Sequence, residues 1–478
     1  MIDILADRPW ARTLLTGFSI VALCLVTGEA VASYPLTYIL ALVGLSAVAA
    51  VAWWNRGVLT GILVLLLLEG VPFINTGGGS SRSAGANAPN DAVFVALVVF
   101  LALCAFDSTR NRAQDRIAIL ASTWASCYFA WWLYKVVAAS PGIPVLSAVS
   151  YGREFLGFSL FLPLALLGLR RRPHLVGFAI TLAVGVAIFS VGQIIEQVAH
   201  ADLTWLIHII KTNEFEGLTR IYSSMNEPLT AAFPMALAAT LLGPKAWRRR
   251  AMLLAVLTGL ANALTFTRAT YVSELLALFL ISLIWARGSG WRPRRIRYTF
   301  VFGVVAIVFA IVLAGGSSAT SGNSSSPVQA VIARAELGLS NTQSQTGSVG
   351  VRIHEADLAL EVLGDHWITG LGFLNPAYHY VPSLREGSIR NNDLGSLSIV
   401  VTMGLIGLIL AYMPPVAGLI YLLKRRYNFV QYGGAMYLGA ALIASITLGA
   451  IATLPGLLVL GSMLVLCLNW TALDESTD

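Results

Sequence analysis

The chain has 478 residues, of which 57% are hydrophobic and 12% charged, and its mean hydropathy is +0.75. Soluble domains contain about 45–50% apolar and about 25% charged residues, so this composition excludes a soluble globular protein. The net charge of +7 comes from cations that lie between apolar runs, which is not the basic face of a nucleic-acid-binding protein. All four cysteines fall inside apolar runs, so neither a disulfide framework nor a cysteine metal site is indicated.

Apolar runs long enough to cross a bilayer recur along the chain. We predict an all-α polytopic membrane protein with about fourteen transmembrane helices, since a spanning helix needs about 20 mostly apolar residues. The segments are 13–32, 34–53, 57–74, 92–106, 117–138, 153–169, 175–195, 224–243, 251–266, 271–286, 298–315, 394–423, 431–449 and 451–470. The first also resembles a secretory signal, but we expect it to be retained as a span.

Cations set the expected orientation, because short cytoplasmic loops hold most Lys and Arg residues when the N-terminus is inside. This orientation leaves three long outer loops, 75–91, 196–223 and 316–393. We divide the chain into two transmembrane regions, 1–222 and 223–478, and the second includes the loop 316–393. Within that loop we predict an amphipathic helix from Val351 to Leu363 that ends at Gly364 and covers a cavity opening outward. Its apolar face is expected to carry Ile353, Ala356, Leu360 and Leu363.

Four polar motifs lie near the outer ends of the predicted spans. They are Leu218 to Pro228 (LTRIYSSMNEP), Thr265 to Thr270 (TFTRAT), Gly350-Val351-Arg352 with Asp365 to Phe373 (DHWITGLGF), and Arg390 to Asp393 (RNND) with Gly404 to Leu408 (GLIGL). In this order and spacing they resemble the O-antigen ligase and O-antigen polymerase superfamily, over roughly residues 215–425. The preceding half resembles that superfamily only as a bundle of spans.

The resemblance implies a multi-span glycosyltransferase of the bacterial inner membrane, with its active site facing the periplasm. The donor would be a glycan linked to undecaprenyl pyrophosphate. In the polymerase branch the acceptor is another lipid-linked unit of a growing polysaccharide, and in the ligase branch it is lipid A-core. Membrane lipids are expected partners, a chain-length regulator is a further candidate partner, and neither nucleic acid nor a cofactor is expected.

The same resemblance assigns substrate-binding residues. Arg220 and Arg268 match the two pyrophosphate-binding arginines of the superfamily, and both lie at the outer ends of spans. A guanidinium group stays charged and can hold two phosphate oxygens, which suits a departing pyrophosphate. The alternative is that these arginines snorkel or form structural ion pairs, with Glu227 for Arg220 and Glu274 for Arg268. The further candidate binding residues are Arg352, Tyr222 and Asn226.

The general base is less well defined, because the ligase family usually has a histidine where this chain has Asn391-Asn392-Asp393. Asn391 occupies the motif position, but asparagine is a poor base, so Asp393 is the first candidate and His379 another. Glu386 and His354 stay open. Asp393 could instead cap the next helix. The missing histidine favours a polymerase over a ligase.

No Asp-x-Asp pair, which would hold a divalent cation on a diphosphate, occurs in the sequence, although Glu214-Phe215-Glu216 could substitute for one. We therefore predict metal-independent transfer that inverts the anomeric configuration, since one direct displacement leaves no covalent intermediate. The alternatives are a lipid-linked oligosaccharide flippase, which predicts discontinuous helices and polar groups at mid-membrane depth, and a peptidoglycan polymerase that acts through an acidic loop residue.

Overall fold

The computed structural model describes residues 55–69, 88–106, 112–137, 145–199, 210–215, 218–222, 226–264, 348–373, 394–424, 428–446, 451 and 453–475. The helices in these ranges are α1 Arg56–Glu69, α2 Ala88–Phe106, α3 Arg112–Val137, α4 Val145–Gly168, α5 Arg172–Ala199, α6 Asn226–Leu242, α7 Lys245–Leu264, α8 Ser348–Leu363, α9 Ser396–Leu423, α10 Phe429–Ala444 and α11 Leu454–Glu475. Between α5 and α6 lies a hairpin of β1 Ile210–Phe215 and β2 Leu218–Tyr222.

The structure confirms helices at the predicted spans between 57 and 266 and after 394. Three of the described helices are long and apolar enough to cross a membrane, over Arg172–Ile195, Ser396–Leu423 and Pro455–Leu473. The shorter apolar helices are Arg56–Leu68, Val93–Ala105, Phe155–Gly168 and Phe429–Ala444. The predicted spans 13–32, 34–53, 271–286 and 298–315 lie outside the described residues. Cys104, Cys127 and Cys467 are free thiols.

Helix α11 forms the centre of the bundle, because it packs against α1, α3, α4, α5, α6, α9 and α10. Its apolar side chains join a single large core cluster to which α1 through α6 also contribute. The side chains of Leu457, Leu464 and Val465 have at most 1% of their surface exposed. A helix that is apolar all round and surrounded by others is the expected centre of a membrane bundle.

The described bundle has two ends with different chemistry. We call one the basic end, because α5 and α7 begin there with Arg171 and Arg172 and with Lys245 to Arg250. Arg172 lies over the ring of Trp470, which contacts Phe429 at the start of α10, and Phe429 in turn contacts Trp247. We call the other the hairpin end, because α5 ends and α6 begins there, on either side of β1 and β2.

The hairpin was not predicted, so the all-α expectation holds for the bundle but not for the segment before α6. Strands β1 and β2 are antiparallel and pair Ile210 with Tyr222 and Thr212 with Arg220. The register shifts between Thr212 and Glu214. Strand β2 packs against α5. The first motif therefore enters α6 from a paired strand and not from an irregular loop.

Helix α8 confirms the predicted helix over residues 351–363, and part of its predicted apolar face is buried. Ala359 and Leu363 have no exposed surface, and Ala356 packs in the same cluster as Leu394 and Val401 of the α9 region. Ile353 and Leu360 are 48% and 38% exposed, so only part of the predicted apolar face packs against the rest of the described structure. Gly364 ends the helix as predicted, with a φ of 45° and its N–H donating to the carbonyl of Leu360 at 3.3 Å.

Candidate functional site

The first motif places three of the predicted binding residues at the hairpin end. Arg220 lies in β2 opposite Thr212, and Tyr222 ends that strand opposite Ile210. Asn226 is the first residue of α6. Since only three residues separate β2 from α6, these positions stay close to one another along the chain.

The side chain of Asn226 is chemically unusual within the described part of the chain. Its amide oxygen and nitrogen are both buried, and neither has a hydrogen-bond partner there. A carboxamide removed from water normally finds partners, because an unpaired buried polar group destabilises the fold. Asn226 therefore presents a free acceptor and two free donors next to the strand that carries Arg220.

Helix α9 is interrupted near the hairpin end, where Gly404 has a φ of 71° and a ψ of −174°. The interruption frees the carbonyls of Val401 and Thr402 and the N–H groups of Leu405 and Ile406, which would pair with each other in a continuous helix. The segment 367–372 after α8 takes up all four groups. Its N–H groups at 371 and 372 donate to the carbonyls of Val401 and Thr402 at 2.7 and 2.9 Å. The N–H groups of Leu405 and Ile406 donate to the carbonyls at 367 and 368 at 2.9 and 3.4 Å.

Two glycines permit this close contact between backbones. Gly370 has a φ of 70°, and a Cβ there would collide with the backbone of Gly404 and Met403. A Cβ on Gly404 would collide with the backbone of Ile368 and Thr369. Both positions also lie in the left-handed region, which glycine adopts without strain. The third and fourth motifs are therefore one structural unit, in which Gly370-Leu371-Gly372 fills the gap that Gly404 creates.

Helix α3 supplies side-chain donors along this unit from one face. Lys135 Nζ donates to the carbonyl of Gly370 at 3.0 Å, and Trp131 Nε1 donates to the carbonyl of Met403 at 2.9 Å. Trp124 Nε1 donates to the carbonyl of Leu410 at 2.7 Å. That carbonyl loses its helical partner because Pro414 has no N–H. Phe373, at the end of the third motif, packs against Trp132 and Phe155, which holds the end of this segment against α3 and α4.

The remaining predicted residues are placed only in part. Arg352 lies in α8 as expected, one turn before Ala356 and two turns before Ala359, which pack against the α9 region. Arg268, His379, Asn391 and Asp393 lie outside the described residues, so whether Arg268 approaches Arg220 stays a prediction. The N-cap of α9 is Gly395, whose φ is 58° and which makes no side-chain cap bond, so the alternative of Asp393 as that cap was wrong. Leu394, next to Asp393, is buried against α8 and α9.

A metal site receives no support from the described ranges, in which no three His, Cys, Asp or Glu side chains cluster. Glu214 and Phe215 lie in β1, so the Glu214-Phe215-Glu216 segment is partly strand and not a free loop.

A known protein family matches part of the chain. Residues 253–412 match the profile of the family described as O-antigen ligase. The similarity to that family covers this region, which is less than half of the chain. The match begins within α7 and ends within α9, so it includes α8, Gly370 and Gly404, and it confirms the superfamily resemblance predicted from the motifs. No curated protein matches the chain significantly.

Sequence reasoning missed two polar groups that the structure places near the hairpin end. Gln193 in α5 is fully buried, and neither side-chain atom has a partner in the described ranges. Lys135 is 3% exposed, donates to a backbone carbonyl of the third motif and lies 5.7 Å from the centroid of the Tyr134 ring. Both interrupt apolar stretches, which was the available signal, since a polar residue within a span is a functional candidate.

Proposed function

We propose that the protein is an inverting glycosyltransferase that polymerises undecaprenyl-pyrophosphate-linked repeat units at the periplasmic face of the bacterial inner membrane. The observation that carries the proposal is the O-antigen ligase match, which covers the α8–α9 unit. The multi-span helical bundle supports a membrane enzyme. The proposed architecture has about fourteen spans, with the loop 316–393 covering a site at the hairpin end.

The reaction forms one bond and breaks one. An acceptor hydroxyl oxygen attacks the anomeric carbon of the donor, and the bond from that carbon to the pyrophosphate oxygen breaks on the opposite face. The hydroxyl proton passes to Asp393, and undecaprenyl pyrophosphate leaves with the electron pair. Arg220 and Arg268 stabilise the negative charge that develops on the leaving oxygen, a role in which one donor contributes about 2.7–4 kcal/mol.

Other proposed residues orient the substrates. Arg352 binds a phosphate or acidic group of the incoming acceptor under α8, while Tyr222 and Asn226 contact the donor. Asn391 and His379 contact the acceptor. No step uses a divalent cation, because arginine side chains stabilise the negative charge of the leaving pyrophosphate. The formation of a glycan ladder is therefore expected to persist in EDTA.

The ligase branch is the second candidate, because the family match does not distinguish it from the polymerase branch. The sequence Asn391-Asn392-Asp393 in place of the usual histidine favours the polymerase. A flippase would use a discontinuous helix as an open binding site. The interruption of α9 is instead filled by backbone hydrogen bonds from residues 367–372, which favours an enzyme over a transporter.

One assay separates these activities. Purified full-length protein is incubated with an undecaprenyl-pyrophosphate repeat unit, with and without lipid A-core, and the products are resolved as a glycan ladder. A ladder without lipid A-core supports the polymerase, transfer only to lipid A-core supports the ligase, and transport without bond formation supports the flippase. Arg220→Ala and Arg268→Ala should each lower the rate about 100-fold. Arg171→Ala, at the exposed basic end, is the matched control and should not change it.

A further inference from the structure

Gln193 is a buried carboxamide for which the fold supplies no partner in the described part of the chain. Its side chain has 0% exposed surface, and both Oε1 and Nε2 lack hydrogen bonds there. It lies one turn beyond Phe189 and two turns beyond Val186, each 3% exposed and part of the core cluster. Gln193 therefore faces the interior of the bundle and not the lipid. An unpaired amide in this position destabilises the fold, which requires a compensating role.

Gln431 shows how the same bundle treats a structural glutamine. Its side chain is 3% exposed, comparable to that of Gln193. Its Oε1 accepts from the N–H of Asn428 at 3.2 Å in a capping box, and its Nε2 donates to Thr471 Oγ1 at 3.3 Å. Where a glutamine serves the fold, both amide atoms are used. Gln193 and Gln431 are therefore comparable in burial but differ in the hydrogen bonding of their amides and in their place in the bundle.

Gln193 lies at the same end of the bundle as Asn226, the other carboxamide with two unpartnered atoms in the described ranges. Helix α5 packs against both α6 and β2. Counted from the basic end at 1.5 Å per residue, Gln193 is about 31 Å along α5 and Asn226 about 24 Å along α6. Both carboxamides are therefore within the part of the bundle to which β2 brings Arg220.

The chemistry of two free carboxamides favours a carbohydrate over a phosphate. Each carboxamide offers an acceptor oxygen and two donor hydrogens. Pyrophosphate oxygens only accept, so they would leave both carboxamide oxygens unpaired, and arginine serves them better. Sugar hydroxyls donate and accept, so they satisfy both atoms of each amide. We infer that Gln193 and Asn226 bind the hydroxyl groups of the donor sugar that adjoins the pyrophosphate, an inference that rests on the proposed function.

The test compares Gln193→Met with Gln431→Met in full-length protein. Gln193→Met should keep or raise Tm, because it removes an unpaired amide, and should lower kcat/KM for the lipid-linked donor about tenfold through KM. The inhibition constant of undecaprenyl pyrophosphate without sugar should stay unchanged. Gln431→Met should lower Tm and leave kcat/KM per folded molecule unchanged.

Three results would overturn the inference: normal donor kinetics in Gln193→Met, a Tm loss equal to that of Gln431→Met, or an equal loss of affinity for undecaprenyl pyrophosphate. The first would mean that Gln193 contacts no substrate. The second would assign it a structural role, and the third would make it a pyrophosphate ligand. If wild-type protein forms no product with any acceptor, the proposed function fails as well, so the two failures are distinguishable.

Discussion

The basic end and the hairpin end of the bundle treat buried polar side chains differently. At the basic end they join helices, although Arg170 Nε has no hydrogen-bond partner in the described ranges. Arg170 Nη1 forms an ion pair with Asp115 at 2.6 Å, and Gln114 Nε2 donates to the carbonyl of Arg170 at 3.0 Å. Asn469 Nδ2 donates to the carbonyls of Leu166 and Leu169, which ends α4 with satisfied acceptors.

At the hairpin end, neither amide atom of Gln193 or Asn226 has a hydrogen-bond partner in the described ranges, and Lys135 donates to the carbonyl of Gly370. Hydrogen bonding within a membrane bundle is demanding, because lipid supplies no substitute partners. The difference therefore separates polar groups that stabilise the fold from polar groups that remain available to a ligand. The backbone at the hairpin end is nonetheless firmly held, since residues 367–372 satisfy the interrupted part of α9.

The largest expected effect comes from adding a Cβ at the interruption of α9. Gly404→Ala should destabilise the protein by about 3 kcal/mol or more, because the new Cβ collides with the backbone of Ile368 and strains a positive φ. Gly364→Ala is the control, since Gly364 also has a positive φ but a Cβ there has its nearest neighbour at 3.9 Å. The measurement is Tm and the monodisperse fraction after detergent extraction. Equal losses in the two variants would show that φ alone matters and that residues 367–372 are not held tightly.

The next effect tests the basic end. Asp115→Ala leaves the 5% exposed Arg170 without its carboxylate and should cost about 2 kcal/mol, less than a fully buried pair because Asp115 is 32% exposed. The measurement is Tm. Adding Arg170→Met to Asp115→Ala should recover part of the loss, because the uncompensated charge is then removed. A double variant no better than the single one would mean that the ion pair is not what stabilises this end.

The helices of the bundle could be predicted from the sequence, because the length of an apolar run directly indicates where a spanning helix begins and ends. The prediction 394–423 differs from α9, Ser396–Leu423, by two residues at its start. The hairpin could not be predicted from the sequence. Its two strands lack a clear alternation of apolar and polar residues, and the pairing of Thr212 with Arg220 is a contact between two separate segments. The close backbone contact between Gly370 and Gly404 was not predictable either, although the two glycines lie in the third and fourth motifs.

The face of α8 shows that a hydrophobic pattern alone does not say which apolar residues pack against other helices. Large apolar residues such as Ile353 and Leu360 are predicted to be buried in water-soluble folds, but lipid accepts them equally well. Close helix packing instead selects small residues, and Ala356 and Ala359 are the ones that face α9. Gln193 was missed for a related reason: an amide in an apolar run is visible in sequence, but whether it has a partner is a property of the packed bundle.

A smaller effect is expected at the proline break of α9. Trp124→Phe removes the donor to the carbonyl of Leu410 and should cost about 1–2 kcal/mol, because this carbonyl is then unpaired. In a Pro414→Ala background the N–H of residue 414 can supply the missing bond, so the same substitution should cost less. The measurement is the difference between the two Tm shifts. Equal shifts in both backgrounds would assign the loss to the packing of Trp124 and not to its hydrogen bond.

The smallest effect is expected for Lys135→Met at the hairpin end, and it tests the comparison most directly. The variant loses the bond to the carbonyl of Gly370, but it also removes the cost of burying an ammonium group that has no carboxylate partner in the described ranges. The two terms should nearly cancel, giving a change in stability below about 1 kcal/mol, measured as Tm. A loss as large as that of Asp115→Ala would show that Lys135 serves the fold as Arg170 does. The hairpin end would then differ from the basic end only in its two carboxamides.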